Sequence, residues 1–137
     1  MVRVMTIGRL AAASGVTTGT IRYYEQAGLL NKPPRTTSGY RVYSEETIRR
    51  LAVIRNAQRF GFSLRQIAGF FRTREAGGRP CQQVCDAGRR VLASIDTQIA
   101  ELMLKRQWIV DVLASWDRAL AVTPVSRRAH LLEKLEG

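Results

Sequence analysis

"TIGRLAAASGVTTGTIRYYEQAGLL", residues 6–30, decides the fold. It reads as two short helices with their punctuation visible. Thr6 can N-cap a helix through "IGRLAAAS", with Ile7, Leu10 and Ala11 on one face. Ser14-Gly15 ends it, because glycine supplies the left-handed C-terminal conformation. Only Val16 separates that glycine from Thr17, a second N-cap, and the next helix runs to about Ala27 and closes at Gly28. Two short helices joined by a brief glycine-containing turn form the helix-turn-helix pattern, whose second helix enters the major groove of DNA.

The second helix carries Arg22 beside two adjacent tyrosines. Neighbours on a helix point about 100° apart, so Tyr23 and Tyr24 cannot share one apolar stripe. Ile21 and Tyr24, three apart, can face the first helix with Val16. Thr18, Gly19, Arg22 and Tyr23 are then left outside. Arg22 can reach a phosphate or a guanine edge. A tyrosine hydroxyl at the rim can donate to a phosphate while its ring packs inward. For Tyr24, core packing and DNA contact both stand open.

After this helix pair, Pro33-Pro34 cannot continue a helix and favours an extended entry. Ser38-Gly39 is a turn signal, and "YRVY", residues 40–43, alternates as a short strand would. Two extended pieces around a glycine turn make a wing bearing Arg35, Tyr40, Arg41 and Tyr43. Ser44 is placed to N-cap a third helix, with Glu45 and Glu46 in the first turn where the helix dipole favours acids. That helix carries Ile48, Leu51, Ala52, Ile54 and Arg55 and stops at Gly61. Ser63-Leu64-Arg65-Gln66 fits a capping box, opening a fourth helix with Leu64, Ile67 and Phe71 on its core face.

Charge agrees with a polyanion partner. The 137-residue chain has a net charge of +11. It is lopsided: residues 1–75 hold 13 Lys+Arg against 4 Asp+Glu, whereas residues 76–137 hold 9 against 7. Positive charge gathered in one half suggests nucleic acid. No apolar run approaches the roughly 20 residues of a membrane span, and the N-terminus lacks the apolar core of a signal peptide. The expected location is the cytoplasm, with no membrane partner. Two cysteines in such a chain read as thiols and not as a disulfide framework.

The second half is a different object. After the glycine-containing linker comes Pro80, suited to a helix first turn. Steps of four and three from residue 81 then pass through Cys81, Cys85, Gly88, Leu92, Ile95, Ile99, Leu102, Arg106, Ile109, Leu113, Trp116 and Leu120, ten of them apolar. That is a heptad seam along roughly 60 Å of helix. A lone helix would expose it, so it must pair, most simply with the same helix of a second chain as a homodimer. Thr123-Pro124 breaks the pattern, and "SRRAHLLEKLE" reads as a short amphipathic helix with Leu131, Leu132 and Leu135 on one side. The domains are therefore read as a DNA-binding domain at 1–74, a linker at 75–80, a dimerisation helix at 81–121 and a short helical segment at 122–137.

The motifs "TIRYYE…GLL", "SGYRVYSEE" and "RFGFSLRQI", in this order over residues 5 to about 74, resemble the DNA-binding domain of the MerR (mercury-resistance regulator) family. The resemblance implies a mainly α fold: a winged helix-turn-helix, a helix pair acting as a second wing, and a long dimerisation helix forming an antiparallel coiled coil. It implies a homodimeric transcription regulator that bends and untwists a palindromic promoter element so that RNA polymerase can engage. Carried over by position, recognition-helix contacts fall on Thr17, Thr20, Arg22 and Tyr23, and first-wing contacts on Arg35, Tyr40, Arg41 and Tyr43. Gly19 departs from the family, which commonly has a better helix former there; Gly costs up to about 1 kcal/mol in mid-helix relative to Ala.

The signal is less legible. In the metal-sensing branch of that family, a cysteine at the start of the dimerisation helix works with a cysteine-containing loop after it. Cys81 stands in the first position, but "LASWDRALAVTPVSRRAHLL" contains no cysteine. Three readings of Cys81 and Cys85 stand open. They could bind a soft, low-coordinate metal ion as the chain's cofactor. They could sense oxidants or electrophiles, a helix N-terminus favouring the thiolate. They could be small buried hydrophobes on the seam. His130 reads as a surface or packing residue. A single histidine, no glycine-rich phosphate loop and no paired carboxylates lend no support to an enzyme. The expected function is a regulator of promoter DNA responding to a metal ion or thiol-reactive stress. An effector-independent architectural DNA-binding protein is the alternative.

Overall fold

The computed structural model describes residues 4–124 and 130–135. Two compact units divide the chain, Met1–Val91 and Leu92–Gly137.

The first unit begins with β1 (Val4–Met5), α1 (Ile7–Ser14) and α2 (Thr18–Gln26). Both helices start as their sequences require. The Thr6 hydroxyl accepts from Arg9 N–H at 3.3 Å, and the Thr17 hydroxyl from Thr20 N–H at 3.2 Å. Each satisfies one of the orphan donors of a helix start. Gly28, at φ 78°, ends α2. There Leu29 N–H donates to Tyr24 C=O at 2.9 Å and Gly28 N–H to Glu25 C=O at 3.3 Å, a Schellman closure. The closure turns Leu29 and Leu30 into the core, where both are buried.

A hairpin follows. Arg35 and Arg41 form an isolated antiparallel bridge, Thr36 N–H donates to Tyr40 C=O at 2.7 Å, and Val42 N–H donates to Pro34 C=O at 3.0 Å. The expected "YRVY" strand is shorter than the alternation suggested. Regular pairing is confined to β2 (Tyr43–Ser44), and its partner is β1, in antiparallel register Val4↔Ser44 and Met5↔Tyr43. The N-terminus thus closes over the base of the hairpin. Ser44 precedes α3 (Glu45–Phe60) as expected, but its side chain makes no capping hydrogen bond. The residue is instead held by its place in the ladder.

α4 (Leu64–Glu75) opens with the full capping box: Ser63 Oγ accepts from Gln66 N–H at 3.1 Å, and Gln66 Oε1 from Ser63 N–H at 2.9 Å. Leu10, Ile21, Leu29, Leu51, Ile54 and Ile67 are the fully buried side chains at the centre, drawn from every helix so far and from the turn after α2.

α5 runs from Cys81 to Val122. Its first turns belong to the first unit. Ala87 is buried, Val84 and Val91 pack against the core, and a Cβ on Gly88 would stand 3.4 Å from the Phe60 ring. Gly88 therefore faces α3, not the seam on which the heptad count put it. From Leu92 onward the apolar stripe is open: Leu92, Ile95, Ile99, Leu102, Ile109, Leu113 and Leu120 are all exposed. Trp116 is half-buried, and its indole N–H has no hydrogen-bond partner among the described residues. The amphipathic helix expected at the C-terminus is reduced, in its described part, to a 3-10 turn at Glu133–Leu135; residues 125–129 lie outside the described residues. Among the described residues no helix is long and apolar enough to cross a membrane.

Candidate nucleic-acid interface

Burial sorts the expected contact residues. On α2 and its cap, Thr17, Arg22 and Tyr23 are exposed, Tyr23 by 55%, and Thr20 is half-buried. Ile21 is fully buried one residue before Arg22, so the helix is anchored on one side and presents Arg22 and Tyr23 on the other. A Cβ on Gly19 would meet nothing within 4 Å, leaving open space on that outer face. On the hairpin, Arg35 and Tyr40 are exposed, and the Arg35 guanidinium donates to Gly39 C=O at 3.1 Å, bracing the turn.

Two of the nine expected contact residues go inside. Tyr24 is 5% exposed, and its hydroxyl donates to Gln58 Oε1 on α3 at 3.1 Å. The packing alternative is the one its side chain adopts. Tyr43 is 4% exposed: it pairs with Met5 of β1, and its hydroxyl reaches the buried Glu25 carboxylate, on the same side as Arg41 two residues before it. The sequence reading has Tyr43 as a DNA contact; as packed in the single chain its ring is covered and its hydroxyl is taken by Glu25.

The residue that sequence reasoning missed is Glu25. It is the one buried charged side chain among the described residues, 9% exposed. It accepts the Tyr43 hydroxyl through Oε1 and the Arg41 guanidinium through Oε2, the latter at 2.7 Å. The ion pair ties the hairpin to α2. Burial, followed by the hydrogen bond to the Glu25 carboxylate, raises the Tyr43 pKa above its usual 10. A signal was present: Glu25 lies four residues after Ile21 and so shares its inward face. An acid there needs a partner.

Cys81 and Cys85 are free thiols, both exposed, one helical turn apart at the start of α5. In the single chain neither is buried; the reading of two small hydrophobes on the seam would need a second chain to cover them. Among the described residues no group of three or more His, Cys, Asp or Glu side chains could hold a metal ion. Two thiolates from one chain suit a soft ion of low coordination and fall short of the four ligands of a structural zinc site.

The chain matches two family models, "MerR HTH family regulatory protein" over residues 5–73 and "MerR, DNA binding" over residues 48–112. It is 35% identical to the mercuric resistance operon regulatory protein of Bacillus cereus over 77% of this chain and 80% of that one. With the HTH-type transcriptional regulator ZntR homolog of Haemophilus influenzae it shares 34% over 79% and 80%. The crystal structure of the transcription regulator PbrR691 from Ralstonia metallidurans, in complex with lead(II), superposes with a TM-score of 0.77 at 27% identity, covering 96% of this chain and 98% of that one. With Arg22 and Tyr23 exposed on α2, the hairpin tied to it by an ion pair and the long α5, these matches establish that the chain belongs to the MerR family of DNA-binding transcription regulators.

Proposed function

We propose that this regulator acts as a homodimer on a palindromic promoter element, bending and untwisting it for RNA polymerase, and that its signal enters through Cys81 and Cys85. The carrying observation lies in the first unit: Arg22 and Tyr23 are exposed on a helix that Ile21 anchors, and Arg35 and Tyr40 are exposed on a hairpin bound to that helix by the Arg41–Glu25 ion pair. Thr17 and Thr20 flank the face at the start of α2. Arginine and tyrosine at such a face hold phosphates, and deformation of the duplex carries the switch. The open stripe of α5 from Leu92 to Leu120 supports the dimer, since two copies burying it against each other would shield it from water.

The exposed thiols support a soft metal ion or an electrophile as the signal. A relative named for mercuric resistance and a similar regulator solved in complex with lead(II) favour the metal. Cys81 and Cys85 would supply two thiolates, and further donors would come from elsewhere in the dimer. Cys81→Ser and Cys85→Ser should then abolish the promoter response to mercuric or lead ions while leaving DNA binding intact; a full response in both variants overturns the thiol assignment.

The DNA assignment is tested with a duplex enriched by the wild-type protein from a random-sequence pool. Arg22→Ala should weaken binding to it at least tenfold and reduce the salt dependence by about one phosphate contact. Unchanged binding removes Arg22 from the interface. Uniform protection of any duplex in a footprint would favour the architectural reading.

A further inference from the structure

Glu25 poses a problem for a helix that meets a polyanion. A carboxylate in the recognition helix repels phosphate, and a buried one is costly unless it is paired and hydrogen-bonded. Its side chain is only 5% exposed and both oxygens are used, one by Tyr43 and one by Arg41. The two donors come from the base of the hairpin, 16 and 18 residues further along the chain. Arg41 is not consumed by the pair. Its guanidinium carries five N–H donors, one of them directed at Glu25, and its side chain remains 36% exposed. A planar fork can hold a carboxylate on one edge and offer another edge to a phosphate oxygen, which a lysine ammonium does less well.

We infer that Glu25 is a positioning residue: its carboxylate clasps the hairpin to the recognition helix through Arg41 and Tyr43, and aims the outer edge of the Arg41 guanidinium at one backbone phosphate. Glu25 itself touches no DNA. It makes α2 and the base of the hairpin a single body, so the spacing between the groove contacts and the Arg41 contact is set before DNA arrives. The fixed spacing favours one duplex shape over others, which is the form specificity takes when few bases are read. Pre-ordering Arg41 also spares the loss of side-chain freedom on binding.

The inference rests on the DNA-binding reading of this face, and the test separates the two. Glu25→Gln keeps an oxygen to accept the Tyr43 hydroxyl and removes the charge that holds Arg41. Full-length dimers of wild type, Glu25→Gln, Arg41→Gln and the double variant are titrated against the enriched duplex and footprinted with hydroxyl radicals. Glu25→Gln should lose about tenfold in affinity. Protection should fade at the phosphates facing the wing and persist at those facing α2. In the Arg41→Gln background the same change should cost less than twofold. An equal loss in both backgrounds would mean a merely structural role and overturns the clasp, as would unchanged affinity of Glu25→Gln. Should Glu25→Gln fail to fold, Arg41→Lys serves: lost wing protection is expected, and full protection overturns the proposal. Arg22→Ala is the control. If it binds poorly while Glu25→Gln binds normally, the clasp alone falls; if both bind normally, the DNA assignment of the face falls with it.

Discussion

Tyr43 shows how one side chain can report on the interior beneath an exposed face. Its pKa lies above the usual 10 because burial and the Glu25 carboxylate both disfavour the phenolate. In the unfolded chain it titrates near 10. Between that value and the higher folded one, the unfolded state has lost a proton that the folded state keeps. Stability contributed by Tyr43 is therefore complete below pH 10 and falls as pH rises through the folded pKa. Spectrophotometric titration of the four tyrosines should show a phase above pH 10 that Tyr43→Phe removes. Urea unfolding at pH 9 and 10.5 should show a smaller loss in Tyr43→Phe than in wild type. A titration curve with the same high-pH phase in both proteins would assign that phase elsewhere.

At the scale of elements, the junction of α3, α4 and α5 concentrates the constraints of the first unit. Gly61 sits at φ 121°, ψ 6°, where an L side chain is strained, and an added Cβ would lie 2.8 Å from a Val91 methyl of α5. Its N–H closes α3, and Phe62 after it is buried. Gly61→Ala should destabilise the protein by about 1–3 kcal/mol, from backbone strain and overpacking together. Gly28→Ala offers the comparison: φ is 78° and nothing lies within 4 Å of an added Cβ, so strain acts alone, at about 1–2 kcal/mol. Adding Val91→Ala should recover part of the Gly61→Ala loss and none of the Gly28→Ala loss. Equal behaviour of the two glycines in urea unfolding would remove the steric contribution of Val91.

For the whole molecule, the question is how the second half of α5 is covered. Leu102 is 64% exposed in the single chain, so Leu102→Asp should leave the fold of one chain intact. On a dimer seam it would bury a charge, and the dimer should dissociate in sedimentation at micromolar concentration. An intact dimer would move the seam to another face. Trp116 is a poorer probe, because it is half-buried within its own chain and a substitution there disturbs local packing as well.

Sequence alone determined the two short helices and their order, because capping threonines, helix-ending glycines and the capping box act through neighbours three to five residues apart. It also determined the outward place of Arg22 and Tyr23, which follows from helical period once Ile21 is assigned to the core. Tertiary structure decided what depends on partners distant in sequence. The β1–β2 pairing joins residues about 40 apart, and no local pattern announces it. Tyr43 went inside because β1 and Glu25 cover it, although on the hairpin's alternation alone it could have faced either way. Gly88 left the seam because Phe60 and Phe62 occupy that side of α5, a contact the heptad count cannot see. Glu25 became a clasp only when the hairpin folded back beside α2 and brought Arg41 within 2.7 Å of its carboxylate. Local rules place a side chain on a face; which groups meet that face is settled by packing.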